Sequence, residues 1–184
     1  MMKQLRKIRF QGLLGVIFTL AVTACASSSD TIIERLDTTT GVTVSYARSP
    51  VMLYRDNPSL AAYARDFLHL GPIVVNRGGY KRHYLWIGTW STMQQVDATE
   101  FRNGFENVVV IVDGEPFTLE LTGWTPDTIG LSAAVYIKPI ASTADAYYEV
   151  TPDQLRIIAG ADEIRVHSTG NNATAYELWH DQPR

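Results

Sequence analysis

Short runs of β-branched and aromatic residues recur along this chain, and turn-forming residues separate most of them. Such a run predicts a β-strand, because successive side chains of a strand point to opposite faces of a sheet. The candidate strands are Val42–Ala47, Val51–Arg55, Phe67–Val75, Tyr80–Thr89, Val108–Val112, Phe117–Leu121, Ala134–Lys138, Tyr147–Val150, Glu163–Ser168 and Ala173–Trp179. Even spacing and little room for helices favour a mainly β fold, an antiparallel β-sandwich or small barrel.

Turn and helix signals refine this pattern. Asn76–Gly79 and Asp113-Gly114 are hairpin signatures, because asparagine, aspartate and glycine tolerate the positive φ values of tight turns. A short helix is predicted after Thr151, with Gln154 completing a capping box and Gly160 as the stop, so that Leu155, Ile158 and Ala159 form its buried stripe. A second short helix, of no more than a turn or two, is predicted to begin at Asn57-Pro58.

One strand carries a row of aromatic residues. Tyr84, Trp86 and Trp90 fall on one face of it, with Leu85 and Ile87 on the other, so we expect both faces to be covered. Aromatic side chains dominate protein cores, which favours burial of the row. The alternative, a stacking platform for sugar rings, requires the row to be exposed.

The first 24 residues predict a secretory signal. Lys3, Arg6, Lys7 and Arg9 occur there without an acidic residue, followed by an apolar run over 13–22. That run is too short to span a hydrocarbon core of about 30 Å as a permanent helix. We therefore expect residues 1–24 to be removed, residues 25–30 to form a tether, and residues 31–184 to form a single β-rich domain.

The residues at the end of this signal, Val22-Thr23-Ala24-Cys25, resemble the lipobox of bacterial lipoproteins. The resemblance implies that Cys25 becomes the N-terminus and carries acyl chains, which also accounts for a lone cysteine in an exported chain. Each buried CH₂ contributes about 0.8 kcal/mol, so two or three chains anchor a protein durably. Leu70-Gly71-Pro72, Tyr84-Leu85-Trp86 and Trp90-Ser91-Thr92 are loosely similar to stretches of proteobacterial lipoproteins, a likeness that implies no activity.

The residues after the cysteine and the overall charge indicate location and partners. Ala26 and Ser27 follow Cys25, without the aspartate that retains many proteobacterial lipoproteins in the inner membrane, so the family pattern implies the periplasmic face of the outer membrane. The chain has 16 basic and 19 acidic residues, and four of the basic ones lie in the signal. The remainder of the chain therefore has an excess of acidic residues. Such a domain is expected to bind nucleic acid poorly, because binding to phosphates requires lysine and arginine.

Catalytic motifs are not apparent in the sequence. It has no G-x-S-x-G, S-x-x-K, H-E-x-x-H, Walker or G-x-G-x-x-G pattern, and it indicates no cofactor. In both registers that we considered for the hairpin around Asn76–Gly79, His69 and His83 point to opposite faces, so they cannot share a metal. His167 and His180 lie near opposite ends of another candidate hairpin. Carboxylates in or near loops leave glycoside hydrolysis open: Asp97, Glu100, Glu106, Glu115 and Asp127.

One basic cluster departs from the acidic background. Arg77, Lys81, Arg82 and His83 gather around the glycine turn. They form either a charged hairpin tip that keeps an edge soluble or a surface for anionic ligands such as lipid headgroups, lipopolysaccharide or peptidoglycan stems.

These observations favour an outer-membrane-anchored periplasmic lipoprotein that acts as a non-catalytic binding or assembly accessory. Its partners would be the membrane, through the lipid, and another envelope protein or a cell-wall component. A cell-wall or glycan hydrolase and a lipid or small-ligand carrier remain the alternatives. A hydrolase needs a cleft with convergent carboxylates, whereas a carrier needs a large apolar cavity.

Overall fold

The computed structural model describes residues 31–93, 98–137, 144–170 and 173–179, and the fold is mainly β, as the sequence predicts. The strands are β1 (Ile32–Asp37), β2 (Val42–Ala47), β3 (Val51–Asp56), β4 (Arg65–Arg77), β5 (Tyr80–Ser91), β6 (Asn107–Val112), β7 (Glu115–Gly123), β8 (Ala144–Val150), β9 (Ile164–Ser168) and β10 (Ala175–Leu178). The helices are α1 (Ala98–Phe105) and α2 (Pro152–Ala159), with a 3-10 turn at Pro126–Ile129. The predicted signal, Cys25 and the predicted tether lie outside the described residues.

All strand pairings are antiparallel, and eight of the strands close into a ring. Around the ring the order is β3, β4, β5, β8, β7, β6, β9, β10 and back to β3. Of the two predicted architectures, the pairing is therefore that of a small barrel. The contact that closes the ring, between β10 and β3, is short. It comprises the pairs Glu177–Tyr54 and Leu178–Leu53, extended by a hydrogen bond of 3.0 Å from the Trp179 amide to the Met52 carbonyl.

Strand β4 is long enough to hold two different neighbours along one edge. Its first half, through Leu70, pairs with β3, and its second half, from Ile73 to Asn76, pairs with β2. Strand β1 pairs with β2 over its whole length. The hairpin β1–β2, which we call the flange, therefore branches from the ring instead of forming part of it.

The inside of the ring is filled by apolar side chains. Its most deeply buried members, each no more than 1% exposed, are Leu53, Leu68, Leu70, Leu85, Ile87, Val108, Val110, Ala146, Tyr148 and Val166. Helix α1 adds Phe101 and Phe105 to this cluster, and α2 adds Ile158. The two helices lie at opposite ends of β6. Helix α1 ends just before β6 begins. At the other end, the amide of Asp113 donates a hydrogen bond to the carbonyl of Glu163, which follows α2 in the chain.

A second apolar cluster lies on the outer face of the ring. It forms between β2, β4, β5 and β8 and the segment from Ile129 to Tyr136. Tyr84 is 1% and Trp86 2% exposed there, while Leu85 and Ile87 are buried inside the ring. Both faces of β5 are thus covered over this stretch, as predicted.

Two glycines make room for the aromatic rings of this outer cluster. A Cβ placed on Gly88 would lie 2.3 Å from the Trp86 ring, and one on Gly71 would lie 2.4 Å from the Tyr136 ring. The two rings stack on each other, with centroids 4.7 Å apart. Trp86 Nε1 donates to Asp145 across the sheet, and the Tyr136 hydroxyl donates to the Pro72 carbonyl. Any side chain at either glycine would displace a buried ring.

The structure corrects three of the predictions. Ala134–Lys138 is not a strand over its described residues, because Tyr136 packs flat against Trp86 while Ile137 is 95% exposed. Helix α2 has the predicted capping box, but Ala159 is exposed, so only Ile158 and the half-buried Leu155 face the core.

The third correction concerns the region that begins at Asn57-Pro58. It forms successive turns rather than a helix, closed by a hydrogen bond from the Asn57 amide to the Ala64 carbonyl. Its predicted apolar face is mostly solvent-exposed, since Tyr63 is 93% and Leu60 42% exposed.

Candidate functional site

In the flange, no strand of the described residues pairs with β1 on the side away from β2. The Arg48 amide donates a hydrogen bond of 2.7 Å to the Thr31 carbonyl, and this bond shows which residues of β1 face β2 with their backbone groups. In an antiparallel pair, alternate residues bond to the partner strand and those between them point away from it. The backbone N–H and C=O groups of Ile32, Glu34 and Leu36 therefore point away from β2.

The side chains of these three residues are exposed as well. Ile32 is 56% and Leu36 60% exposed, an unusual degree for large apolar residues in a strand. The carboxylate of Glu34 lies between them and accepts a hydrogen bond of 3.1 Å from the Ser45 hydroxyl. We call these three residues the β1 edge. It combines backbone groups that no described strand pairs with, apolar side chains and one negative charge.

Asp37 fastens the flange to the rest of the molecule. Its carboxylate accepts hydrogen bonds from the Ser132 amide at 2.7 Å, the Ser132 hydroxyl at 2.8 Å, and the amides of Thr39 and Thr40. These donors, led by the Ser132 amide, hold the pKa of Asp37 well below its usual range. The carboxylate thereby joins the β1–β2 turn to the segment that covers the outer cluster.

Replacing Asp37 with asparagine is expected to lower the melting temperature at neutral pH, because the charge that favours four donors is lost. A carboxylate whose pKa is lowered by folding stabilises the protein above its unfolded pKa, near 3.9, and loses that contribution as pH falls. The difference between wild type and Asp37→Asn should therefore shrink between about pH 5 and pH 3. Thermal melts across that range, followed by circular dichroism, measure it. A constant difference would contradict the role given to the Asp37 charge.

The predicted basic cluster is divided between the two faces of its hairpin. Arg77 pairs with Tyr80 in the ladder, one of the two registers considered. Alternation places Arg77 and Arg82 on the outer face, and Lys81 and His83 on the opposite one. Arg82 is also neutralised by Glu149, whose carboxylate accepts from Nε at 3.1 Å and raises the pKa of Arg82. The four residues thus share a hairpin but do not face one ligand together.

The predicted aromatic row separates into a buried and a half-exposed part. Tyr84 and Trp86 are buried, which confirms the core interpretation for them. Trp90 is half-buried and stacks on Phe67, with centroids 4.5 Å apart. Its indole Nε1 donates to His69 Nε2 at 3.4 Å, and burial lowers the pKa of His69. A neutral imidazole at that position is the form that accepts this bond.

A polar network lies on the inner side of the ring where β3 ends and β4 begins. The Arg55 guanidinium binds the Asp66 carboxylate, with Nη2 to Oδ2 at 2.6 Å, and Asn57 donates to the same oxygen at 2.9 Å. The guanidinium also lies 5.6 Å from the ring centre of Tyr176. Asp66 is 8% exposed as a residue, so its charge depends on these partners.

The other candidate groups do not converge in the described part of the chain. His69 and His83 lie on opposite faces, as both considered registers require, and no three histidine, cysteine, aspartate or glutamate residues there form a metal-binding group. Glu106 and Glu115 are exposed and flank opposite ends of β6, about 20 Å apart at 3.3 Å per residue. Asp127 is exposed. His180, Asp97 and the side chain of Glu100 lie outside the part of the chain that the structure describes.

Two further findings do not depend on any single site. Over residues 31–93, 98–137, 144–170 and 173–179, no helix has the length and apolar character needed to span a bilayer. Comparison with protein-family models, curated proteins and solved structures gives no match to this chain.

Sequence patterns did not predict the β1 edge. The sequence of strand β1 is Ile-Ile-Glu-Arg-Leu-Asp, in which apolar and polar residues alternate too weakly for a strand to be predicted. One signal was nevertheless present. Asp37 and Gly41 bracket three threonines directly before Val42–Ala47, and an aspartate and a glycine at such spacing favour a hairpin turn.

Proposed function

We propose that this chain is a lipoprotein held at the periplasmic face of the outer membrane, where it acts as a non-catalytic accessory that binds another envelope component. The lipobox-like residues Val22–Cys25 support the anchor. The β1 edge supports the binding role, and it is the single observation that carries the proposal.

The position of the β1 edge relative to Cys25 supports the link between anchor and binding. Ile32 follows Cys25 by seven residues, and an extended chain spans at most about 3.3 to 3.6 Å per residue. A lipid on Cys25 would hold Ile32, where the edge begins, within about 25 Å of its attachment point. The proposed partner is therefore a component reachable from the membrane surface.

The described residues favour binding over the two alternatives. Glu106, Glu115 and Asp127 are solvated rather than gathered in a cleft, in contrast to what glycoside hydrolysis requires. The space inside the ring holds packed side chains such as Leu53, Leu68 and Tyr148, whereas a carrier would need it to hold ligand. An unpaired strand edge, by contrast, is a common place for another protein to bind.

The proposal is tested by photo-cross-linking of the full chain in a bacterial envelope. A photoreactive amino acid at Glu34 is expected to trap one dominant protein or cell-wall fragment, identified by mass spectrometry. The same amino acid at Glu115, which is exposed at the turn between β6 and β7, is the matched control and should not trap it.

The Cys25→Ala variant separates anchoring from folding. It should lose incorporation of labelled palmitate, leave the outer-membrane fraction and lose the Glu34 adduct. Retained association with the outer membrane in this variant would refute the lipid anchor. The same background adducts from Glu34 and Glu115 would refute the accessory role.

A further inference from the structure

We infer that the β1 edge receives an extended strand from an envelope protein, and that this strand carries apolar, basic and apolar side chains at alternate positions. The inference rests on the proposed function and specifies the chemistry of its partner. The incoming strand would become the eleventh of the sheet, next to β1 and remote from the closed ring.

The backbone of the β1 edge provides the bonding groups. Three residues, Ile32, Glu34 and Leu36, each present one N–H and one C=O away from β2, which is the ladder that an added strand needs. The other strand of the flange is already paired on both sides, with β1 and with β4. The Asp37 carboxylate holds the turn at the end of β1, so the edge is ordered before binding.

The side chains specify which strand fits. Ile32, Glu34 and Leu36 lie on one face because they alternate along β1, and neighbouring side chains across a ladder have Cβ atoms about 4.5 to 5.5 Å apart. Apolar residues opposite Ile32 and Leu36 would bury surface that is now exposed. A lysine or arginine opposite Glu34 would pair with its carboxylate, whereas an acidic residue would be repelled.

A second copy of this chain fits the edge less well. Outward-pointing residues of one edge must pair with outward-pointing residues of the other, and the antiparallel register with the most pairs sets Ile32 against Leu36. That register places Glu34 directly opposite Glu34 of the second copy. Like charges at such positions are destabilising.

Two peptides test this inference with the full-length lipidated chain in detergent micelles. The first is fluorescein-labelled Thr-Val-Thr-Lys-Thr-Val-Thr, which reads the same in both strand directions, and the second has glutamate in place of lysine. Fluorescence anisotropy is expected to show about three- to tenfold tighter binding of the lysine peptide, from one favourable or unfavourable cross-strand charge pair. Glu34→Lys should reverse this preference.

Matched variants show where the peptide binds. Glu120→Lys makes the same charge change at an exposed position on β7 and should leave the preference intact. Ile32→Lys should weaken binding, whereas Ile157→Lys should not, although Ile157 on α2 is 53% exposed and therefore similarly accessible. Far-ultraviolet circular dichroism confirms that each variant is folded.

Each outcome separates the inference from the proposed function. Equal binding of the two peptides, or a preference that Glu34→Lys leaves unchanged, overturns the inference, and a partner trapped from Glu34 would still support the accessory role. A preference that reverses as expected supports the strand chemistry of the β1 edge, whereas cross-linking decides separately whether an envelope protein supplies that strand. Disulfide-linked dimers of an Ile32→Cys, Leu36→Cys variant, which keeps the Glu34 charge, would make a second copy the occupant and overturn the inference.

Discussion

Replacing Trp86 with alanine is expected to lower the free energy of unfolding by about 3 to 5 kcal/mol, the range for truncation of a buried aromatic residue. Trp86 is 2% exposed, stacks on Tyr136 and donates a hydrogen bond to Asp145. Its truncation removes these contacts and leaves a cavity in the outer cluster. Domains of this size are stable by only about 5 to 15 kcal/mol. Urea denaturation followed by circular dichroism measures the loss.

Trp90→Ala is the matched control on the same strand and the same face. Trp90 is only half-buried, so its truncation removes less surface from the protein interior and should cost clearly less. Equal losses for the two variants would contradict the assignment of Trp86 to a second core.

Replacing Asp66 with alanine is expected to cost about 2 to 4 kcal/mol, because it leaves the Arg55 guanidinium without its partner on the inner side of the ring. This expected loss of stability is somewhat smaller than the loss for a fully buried ion pair, because the Arg55 side chain is 32% exposed and water reaches part of it. Asn57 would lose an acceptor in the same variant. Denaturant unfolding at pH 7 provides the measurement.

The double variant Arg55→Met, Asp66→Leu separates the charge effect from general loss of packing. Replacing both partners of a buried pair with apolar residues of similar size is often neutral or stabilising. Its stability should therefore lie above that of Asp66→Ala and near that of the wild type. A double variant at least as unstable as Asp66→Ala would mean that the ion pair itself stabilises this end of the ring.

Local patterns were sufficient for most strands. The β6–β7 hairpin is an example, because Asp113 and Gly114 adopt φ values of 49° and 90°, as the sequence Asp-Gly predicts for a tight turn. The capping box of α2 is another, since Thr151 and Gln154 form it within three residues. Both features depend only on residues that are close in sequence.

The predictions that failed depend on residues that are distant in sequence. Ala134–Lys138 has the composition of a strand, but Tyr136 is held by Trp86 and by Pro72, which are far from it in the chain. Lys81 and Arg82, by contrast, are adjacent on the predicted strand Tyr80–Thr89, so alternation alone places them on opposite faces. Glu149, which neutralises Arg82, is 67 residues away.

The candidate site was predicted only in part for the same reason. The lipobox-like pattern that ends at Cys25 is local, so one sequence is enough to propose it, and lipidation stays a prediction. The β1 edge is defined by what does not pair with it, which depends on how β2 shares β4 with β3. No pattern within Ile32–Asp37 carries that information.

The short contact between β10 and β3 has a consequence for the order of folding. It joins Tyr54 to Glu177, so the ring cannot close until nearly the whole domain has been synthesised, although most other ladders link nearer neighbours. The entropy lost on closing a loop grows with its length, and such distant pairings form slowly. This topology keeps the barrel open until the strand Ala175–Leu178 is available to pair with β3. Under the proposed export, this strand would be the last part of the ring to cross the membrane, so closure would follow translocation.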